Sequence, residues 1–211
     1  MNSKKIEFSG SQGAKLSARI DEPDGGVKKG AVLFAHCFTC SKNLKAVGEI
    51  SRTLTEEGMG VFRFDFTGLG ESDGDFSDTN FSSNIEDLIA AAKYMEDEWE
   101  SPRMLIGHSL GGAAVLQAAH KISSVEAVAT IGAPCSPDHV THLLLDKKEE
   151  IEANGEARVQ LAGRHFTIKK QFLDDLKEQN MNRIIEGLSK PLLIFHSPVD
   201  QTVGIENAAH L

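Results

Sequence analysis

The sequence predicts an α/β fold in a single domain over residues 1–211, a mostly parallel sheet with helices on both faces. Three observations predict it. Short apolar runs alternate with amphipathic helical stretches through most of the chain, the pattern of strands joined by helical crossovers. One run, Ala31-Val32-Leu33-Phe34-Ala35, is apolar without a break, as a strand buried on both faces must be. Further on, Gly107-His108-Ser109-Leu110-Gly111 joins a strand directly to a helix.

Taken in order, Lys4–Phe8 and Lys15–Ile20 read as amphipathic strands, and Ala31–Ala35 opens the parallel set. Asn43–Glu57 is helical, with Leu44, Val47, Ser51 and Leu54 on one face and Gly58 as its stop. Val61–Phe66 is the next strand. Ser83 and Glu86 are spaced as a capping box for a helix over Asn84–Trp99, whose inner stripe is Ile85, Leu88, Ile89, Ala92 and Met95. Met104–Ile106 is a strand, Leu110–Lys121 a helix, and Val125–Ile131 a strand. From about Cys135 to Asn180 the rhythm breaks. A charged helix (Asp146–Ala153), a hairpin around Gly163 and a helix through Phe172, Leu173 and Leu176 read as a small lid insertion overhanging the carboxyl edge of the sheet. Leu192–Phe195 is the final strand, and Ile205–Leu211 reads as the start of a helix.

Composition narrows the function. The chain is 40% hydrophobic and 25% charged, ordinary for a globular protein, and 211 residues suffice to bury roughly 70% of the unfolded surface. A formal net charge of −9, with no local cluster of Lys and Arg, argues against a nucleic-acid partner. No apolar run is long enough for a membrane span, and Met1-Asn2-Ser3-Lys4-Lys5 does not lead into a signal sequence. With three cysteines and no disulfide-scaffold density, the expectation is a cytoplasmic protein.

The G-x-S-x-G pattern gains its meaning from its place between strand and helix. A tight turn there exposes the Ser109 hydroxyl in a strained conformation, and a side chain at 107 or 111 would clash within the turn. The helix N-terminus beneath favours developing negative charge. The oxyanion donors expected for such a nucleophile are the backbone N–H of Leu110 and that of Phe38, on the loop His36-Cys37-Phe38-Thr39 after the first parallel strand. His36 is read as a structural histidine bonded to nearby backbone. Asp200, in His196-Ser197-Pro198-Val199-Asp200 after the last strand, is placed to serve as a triad acid, with Asp138 as a competitor.

A triad in the order Ser, acid, His needs a histidine after Asp200, where His210 alone stands, on a segment that carries it away from Ser109. The expectation is therefore a C-terminally truncated chain, lacking a last strand and the histidine. Leu192–Phe195 would then be an open apolar edge through which chains associate.

These motifs resemble the α/β-hydrolase superfamily over nearly the whole chain. Asp65-Phe66-Thr67-Gly68-Leu69-Gly70-Glu71-Ser72 is similar to the family's pocket-floor loop. His36-Cys37-Phe38-Thr39-Cys40 and His196-Ser197-Pro198-Val199-Asp200 resemble bacterial proteins in which the hydrolase is fused to an OsmC-like, thiol-dependent peroxide-handling domain. The resemblance implies an α/β-hydrolase fold with Ser109 as nucleophile, Asp200 as acid, Phe38 and Leu110 as oxyanion donors, a histidine beyond the chain, and an OsmC-like domain fused or as partner. Cys37 and Ser197 each stand where the superfamily commonly has Gly.

The reading is a serine carboxylic-ester hydrolase acting on a small-molecule ester or acyl substrate, without cofactor or metal. Two rivals have their own features. A non-catalytic binding protein of the same fold would explain the missing histidine. A thiol redox role would use Cys37-Phe38-Thr39-Cys40, a C-x-x-C whose plain alternative is two small apolar side chains filling space.

Overall fold

A computed structural model describes residues 1–161 and 163–211. The chain begins with an antiparallel pair, β1 (Asn2–Ser9) and β2 (Lys15–Glu22), then β3 (Ala31–Ala35), α1 (Lys45–Glu56), β4 (Gly60–Phe64), α2 (Phe81–Glu98), β5 (Pro102–His108), α3 (Leu110–Ala118) and β6 (Ala127–Ile131). An insertion follows, made of a 3₁₀ segment (Pro137–Lys147), α4 (Lys148–Asn154), the hairpin β7 (Glu156–Leu161) and β8 (Arg164–Lys169), α5 (Lys170–Glu178) and α6 (Met181–Glu186). The chain returns to the sheet with β9 (Leu192–Phe195) and ends in α7 (Glu206–His210). The seven-stranded sheet has the order β1-β2-β4-β3-β5-β6-β9, parallel from β4 onward.

Alternation along the central strands divides the core in two. Leu33, Phe62 and Leu105 lie side by side in register and pack with Ile85, Leu88 and Met95 of α2 and Leu116 of α3. Val32, Phe34, Val61 and Ile106 face the other way, onto Val47 of α1. Every residue of β3 and β4 is buried, as the unbroken apolar run of β3 predicts. Each large apolar side chain so buried contributes about 1.5–3 kcal/mol.

Three local expectations need correction. The second helix starts at Phe81, three residues before the predicted Asn84, because Asn80 is its cap: the Asn80 side chain accepts from the Ser83 N–H and the Ser83 hydroxyl accepts from the Asn80 N–H. Ser83 is thus the third helical residue of the box, not its cap, and Glu86 pairs with Lys121 instead. Phe81, Asn84 and Asp87 join the buried face, while Ile89 is only partly buried. The second parallel strand stops at Phe64, one residue after its pairing with β3 ends at Arg63 opposite Phe34, so Asp65 and Phe66 belong to the following loop. The insertion is richer than predicted, with the 3₁₀ segment and α6 added to the expected helix, hairpin and helix. The hairpin turn contains Gly163 at φ +76°, a left-handed conformation that glycine adopts without strain. Its neighbour Ala162 lies outside the described residues.

Among the described residues β9 pairs only with β6, leaving its other edge open, and Leu193 and Phe195 are 52% and 53% exposed. No described helix is long and apolar enough to cross a membrane.

Candidate active site

Ser109 sits at the carboxyl end of β5 as the cap residue of α3, with φ 53° and ψ −125°. A non-glycine residue at positive φ is held there only by its surroundings. The Ser109 N–H donates to the Ile131 carbonyl at 2.9 Å, and the Gly112 N–H donates to the Ser109 carbonyl at 2.8 Å. A Cβ on Gly107 would lie 2.3 Å from the Gly111 carbonyl oxygen, a clash within the turn as predicted. The constraint on Gly111 is different: its Cβ would meet the His36 carbonyl oxygen at 2.4 Å and that of Ala35 at 2.6 Å. Gly111 therefore allows the elbow to approach the end of β3, where the Phe38 loop begins. The Ser109 hydroxyl makes no hydrogen bond to the helix it opens, so it is not committed to a capping role.

Ser109 opens onto a cavity of about 280 Å³ whose wall includes Phe38, Leu110, His108, His139, Asp200 and the Cys37–Cys40 pair. Val140, Leu143 and Val203 supply apolar lining. All four residues expected at the site, Ser109, Asp200, Phe38 and Leu110, are thus brought to one cavity. Neither the Phe38 nor the Leu110 N–H donates to another group among the described residues. Asp138 is exposed and is absent from the cavity wall.

Asp200 is held by its own turn. Its Oδ1 accepts from the N–H groups of Thr202 at 2.9 Å and Val203 at 3.0 Å. The Val203 hydrogen bond, then that of Thr202, with His196 and His108 nearby, hold the carboxyl below the usual carboxylate range. At neutral pH it is ionised. His196 donates from Nε2 to the Val203 carbonyl at 2.7 Å, with that nitrogen 4.0 Å from Asp200 Oδ2. Its Nδ1 is buried with no partner among the described residues.

His36 bears out the structural reading. Its Nδ1 donates to the Cys37 carbonyl at 2.8 Å and its Nε2 accepts from the Phe66 N–H at 3.4 Å. Burial pushes its pKa down to about 4, so the ring is neutral at pH 7. The Cys37 carbonyl and the Phe38 N–H belong to one planar peptide, so His36 orients the expected oxyanion donor.

From the loop Asp65–Ser72, Phe66 and Leu69 line a small pocket together with Cys37, Phe38 and Leu110, which also wall the Ser109 cavity. In the same loop, buried Asp65 accepts from the Lys42 N–H at 2.6 Å, the Lys42 ammonium at 2.5 Å and the Glu71 N–H at 2.9 Å. This fixes the segment that follows the Phe38 loop. Lys42 also pairs with Glu71, holding that carboxyl down to about 2.

Sequence reasoning missed one residue here. His139 enters the cavity wall on the 3₁₀ segment, with its Nε2 donating to the Thr202 carbonyl at 2.7 Å. The order Ser, acid, His passes it over, because it precedes Asp200. Of the two readings of Cys37-Phe38-Thr39-Cys40, the pairing favours the thiol one over independent apolar fillers, since Cys37 and Cys40 form a disulfide. His210 lies outside the cavity wall and hydrogen-bonds the Glu206 carbonyl of its own helix.

Comparison with known proteins places this architecture. The Hydrolase_4 family model, described as serine aminopeptidase, S33, matches residues 26–154. Rat (Rattus norvegicus) mitochondrial palmitoyl-protein thioesterase ABHD10 is 31% identical over 185 residues, covering 83% of this chain and 60% of its own length. The chain thus spans about three fifths of that relative. The solved esterase domain of a Rhodothermus marinus protein is 51% identical, with a TM-score of 0.78, over 100% of this chain and 82% of its own. Ferulic acid-bound Est1E from Butyrivibrio proteoclasticus is 22% identical, with a TM-score of 0.81, over 97% of this chain and 83% of its own. That last likeness speaks for the fold alone. A mostly parallel sheet, an elbow between β5 and α3 and a family match across both make this chain an α/β-hydrolase-fold member of the Hydrolase_4 (serine aminopeptidase, S33) family.

Proposed function

We propose that the chain carries the active site of a serine carboxylic-ester hydrolase, of the EC 3.1.1 class. The observation that carries the reading is a strained Ser109 sharing one cavity with two uncommitted backbone N–H groups and an ionised Asp200. In this reading Ser109 Oγ attacks an acyl carbonyl carbon. The Phe38 and Leu110 N–H groups stabilise the oxyanion, the alcohol leaves, and water hydrolyses the acyl-enzyme. Asp200 orients a histidine that takes the Ser109 proton and later delivers it to the leaving group. His139 donates its Nε2–H to Thr202, which leaves that nitrogen unable to accept the Ser109 proton. The order Ser, acid, His places the histidine of this reading after Asp200. Val140, Leu143 and Val203 offer an apolar wall to the acyl chain, and the insertion that brings Val140 and Leu143 there acts as a lid. The names of an esterase domain and a palmitoyl-protein thioesterase among the similar proteins favour an oxygen or sulfur ester over an amide.

The same proposal includes a cytoplasmic setting and an OsmC-like domain, fused or as partner, on the resemblance of the His36 and His196 loops. It also includes self-association through the open β9 edge, which presents Leu193 and Phe195.

A substrate panel tests the reading. p-Nitrophenyl acetate, butyrate and octanoate and an S-acyl thioester are compared with alanyl and leucyl p-nitroanilides. The expected result is a kcat/KM for the best ester or thioester at least about tenfold above either anilide. The reverse order would make the protein an aminopeptidase and overturn the assignment.

A further inference from the structure

Cys37 and Cys40 are joined across a turn with their Cα atoms 5.3 Å apart, within the range a disulfide spans. Both are partly exposed, and both line the cavity into which Ser109 opens, so a small molecule that reaches Ser109 also reaches the sulfurs. The bond encloses only Phe38 and Thr39. Phe38 supplies the N–H assigned to the oxyanion, and Thr39 has φ 69°, a left-handed conformation costing a β-branched residue about 1–2 kcal/mol. The turn is further closed by the Cys40 N–H donating to the Cys37 carbonyl at 3.1 Å. Two contacts tie it to the insertion: Arg164 of β8 donates to the Thr39 carbonyl, and the Phe38 ring packs on Phe172 of α5 with centroids 5.4 Å apart. The strained turn, the oxyanion donor and the lid hairpin therefore share one short covalent loop.

We propose that Cys37 and Cys40 form a reversible thiol–disulfide site, reached by small-molecule thiols through the Ser109 cavity, whose oxidised form straps the loop bearing the Phe38 N–H. Its effect on catalysis rests on the esterase reading; the strap itself does not. In reduction, a thiolate of a small dithiol attacks one cysteine sulfur. The S–S bond breaks, a mixed disulfide forms, and the second thiol of the dithiol displaces it. The products are two cysteine thiols and the cyclic disulfide of the dithiol, a transfer of two electrons and two protons. In oxidation, oxidised glutathione takes the same two electrons and two protons and leaves as two glutathione molecules. Reduction removes the covalent restraint from a turn that already carries strain, so the loop and the hairpin it holds become less ordered.

The experiment uses the protein that carries the triad histidine, after dithiothreitol or oxidised glutathione. Thiol alkylation with peptide mass spectrometry reads the state of the pair, with unpaired Cys135 as internal control. Hydrogen exchange then reads the loop, and the rate of Ser109 phosphonylation by a fluorophosphonate reads the oxyanion site. The expected result is alkylation of Cys37 and Cys40 together after dithiothreitol and of neither after oxidised glutathione. Peptides covering residues 36–44 and the β7–β8 hairpin exchange about tenfold faster when reduced, with α2 unchanged. Phosphonylation is about tenfold slower when reduced, part of the 10²–10³-fold that loss of a whole oxyanion donor costs. A Cys37→Ala/Cys40→Ala variant behaves as the reduced form under both conditions, and Cys135→Ser responds like the parent. Failure of the pair to form, or equal exchange in both states, overturns the strap. Different exchange with equal phosphonylation overturns its link to the oxyanion site. No phosphonylation in either state defeats the esterase reading, while exchange still decides the strap.

Discussion

In the protein that carries the triad histidine, Ser109→Ala lowers turnover of p-nitrophenyl esters at least about 10³-fold, to the level that the two N–H donors and binding alone sustain. The replacement removes one oxygen from a residue whose hydroxyl makes no cap hydrogen bond, and alanine is under the same backbone strain at φ 53° as serine. Thermal unfolding is therefore expected to stay within about 2 °C of the parent, since a change well under 1 kcal/mol moves Tm by no more than this in a chain of this size. Kinetics and melting curves on the same preparations check the two parts together. Retention of most of the activity would remove Ser109 from the mechanism. Loss of both activity and stability would mean that the elbow needs the hydroxyl to fold.

In the protein that carries the triad histidine, Asp200→Asn lowers turnover by about 10²–10⁴-fold, because the amide no longer fixes that histidine in the tautomer that accepts the Ser109 proton. The fold has no reason to fail. An Asn side-chain oxygen still accepts from the Thr202 and Val203 N–H groups that now bind Asp200 Oδ1. Asp138→Asn is expected near the parent, since Asp138 is exposed and outside the cavity wall. The test is kcat/KM for both variants against the same ester. A dead Asp138→Asn beside a near-normal Asp200→Asn would name Asp138 as the acid. A full loss in His139→Ala alone would return the base to this chain, through the ring nitrogen that Thr202 does not bind.

Much of this site was legible because its signals are local. The run Ala31–Ala35 declares a doubly buried strand, and the strand-to-helix glycines around Ser109 declare the elbow, whatever the rest of the chain does. Asp200 was found from its place after the last apolar run. What could not be read depends on competition or on distance. Asn80 and Ser83 are both good cap residues, and only the reciprocal hydrogen bonds between them show which one ends the coil. The constraint on Gly111 comes from the end of β3, more than seventy positions earlier in the chain. The C-x-x-C spacing of Cys37 and Cys40 was legible, but the left-handed turn at Thr39 between them was not, because a β-branched residue does not announce such a turn. His139 reaches the cavity on a 3₁₀ segment with no periodic apolar stripe to predict it. The Lys42–Asp65 pair joins two loops that look separately like solvated turns, yet both side chains are fully buried.

The central claim is that Ser109 is the nucleophile, and covalent labelling tests it most directly. The chain is treated with a fluorophosphonate, digested, and the modified peptide sequenced by mass spectrometry, with Ser109→Ala treated in parallel. The predicted result is one phosphonate on Ser109 within the peptide bearing Gly107-His108-Ser109-Leu110-Gly111, and none at that site in the variant. A phosphonate carried by another serine in both proteins, with Ser109 unmodified, would contradict the account.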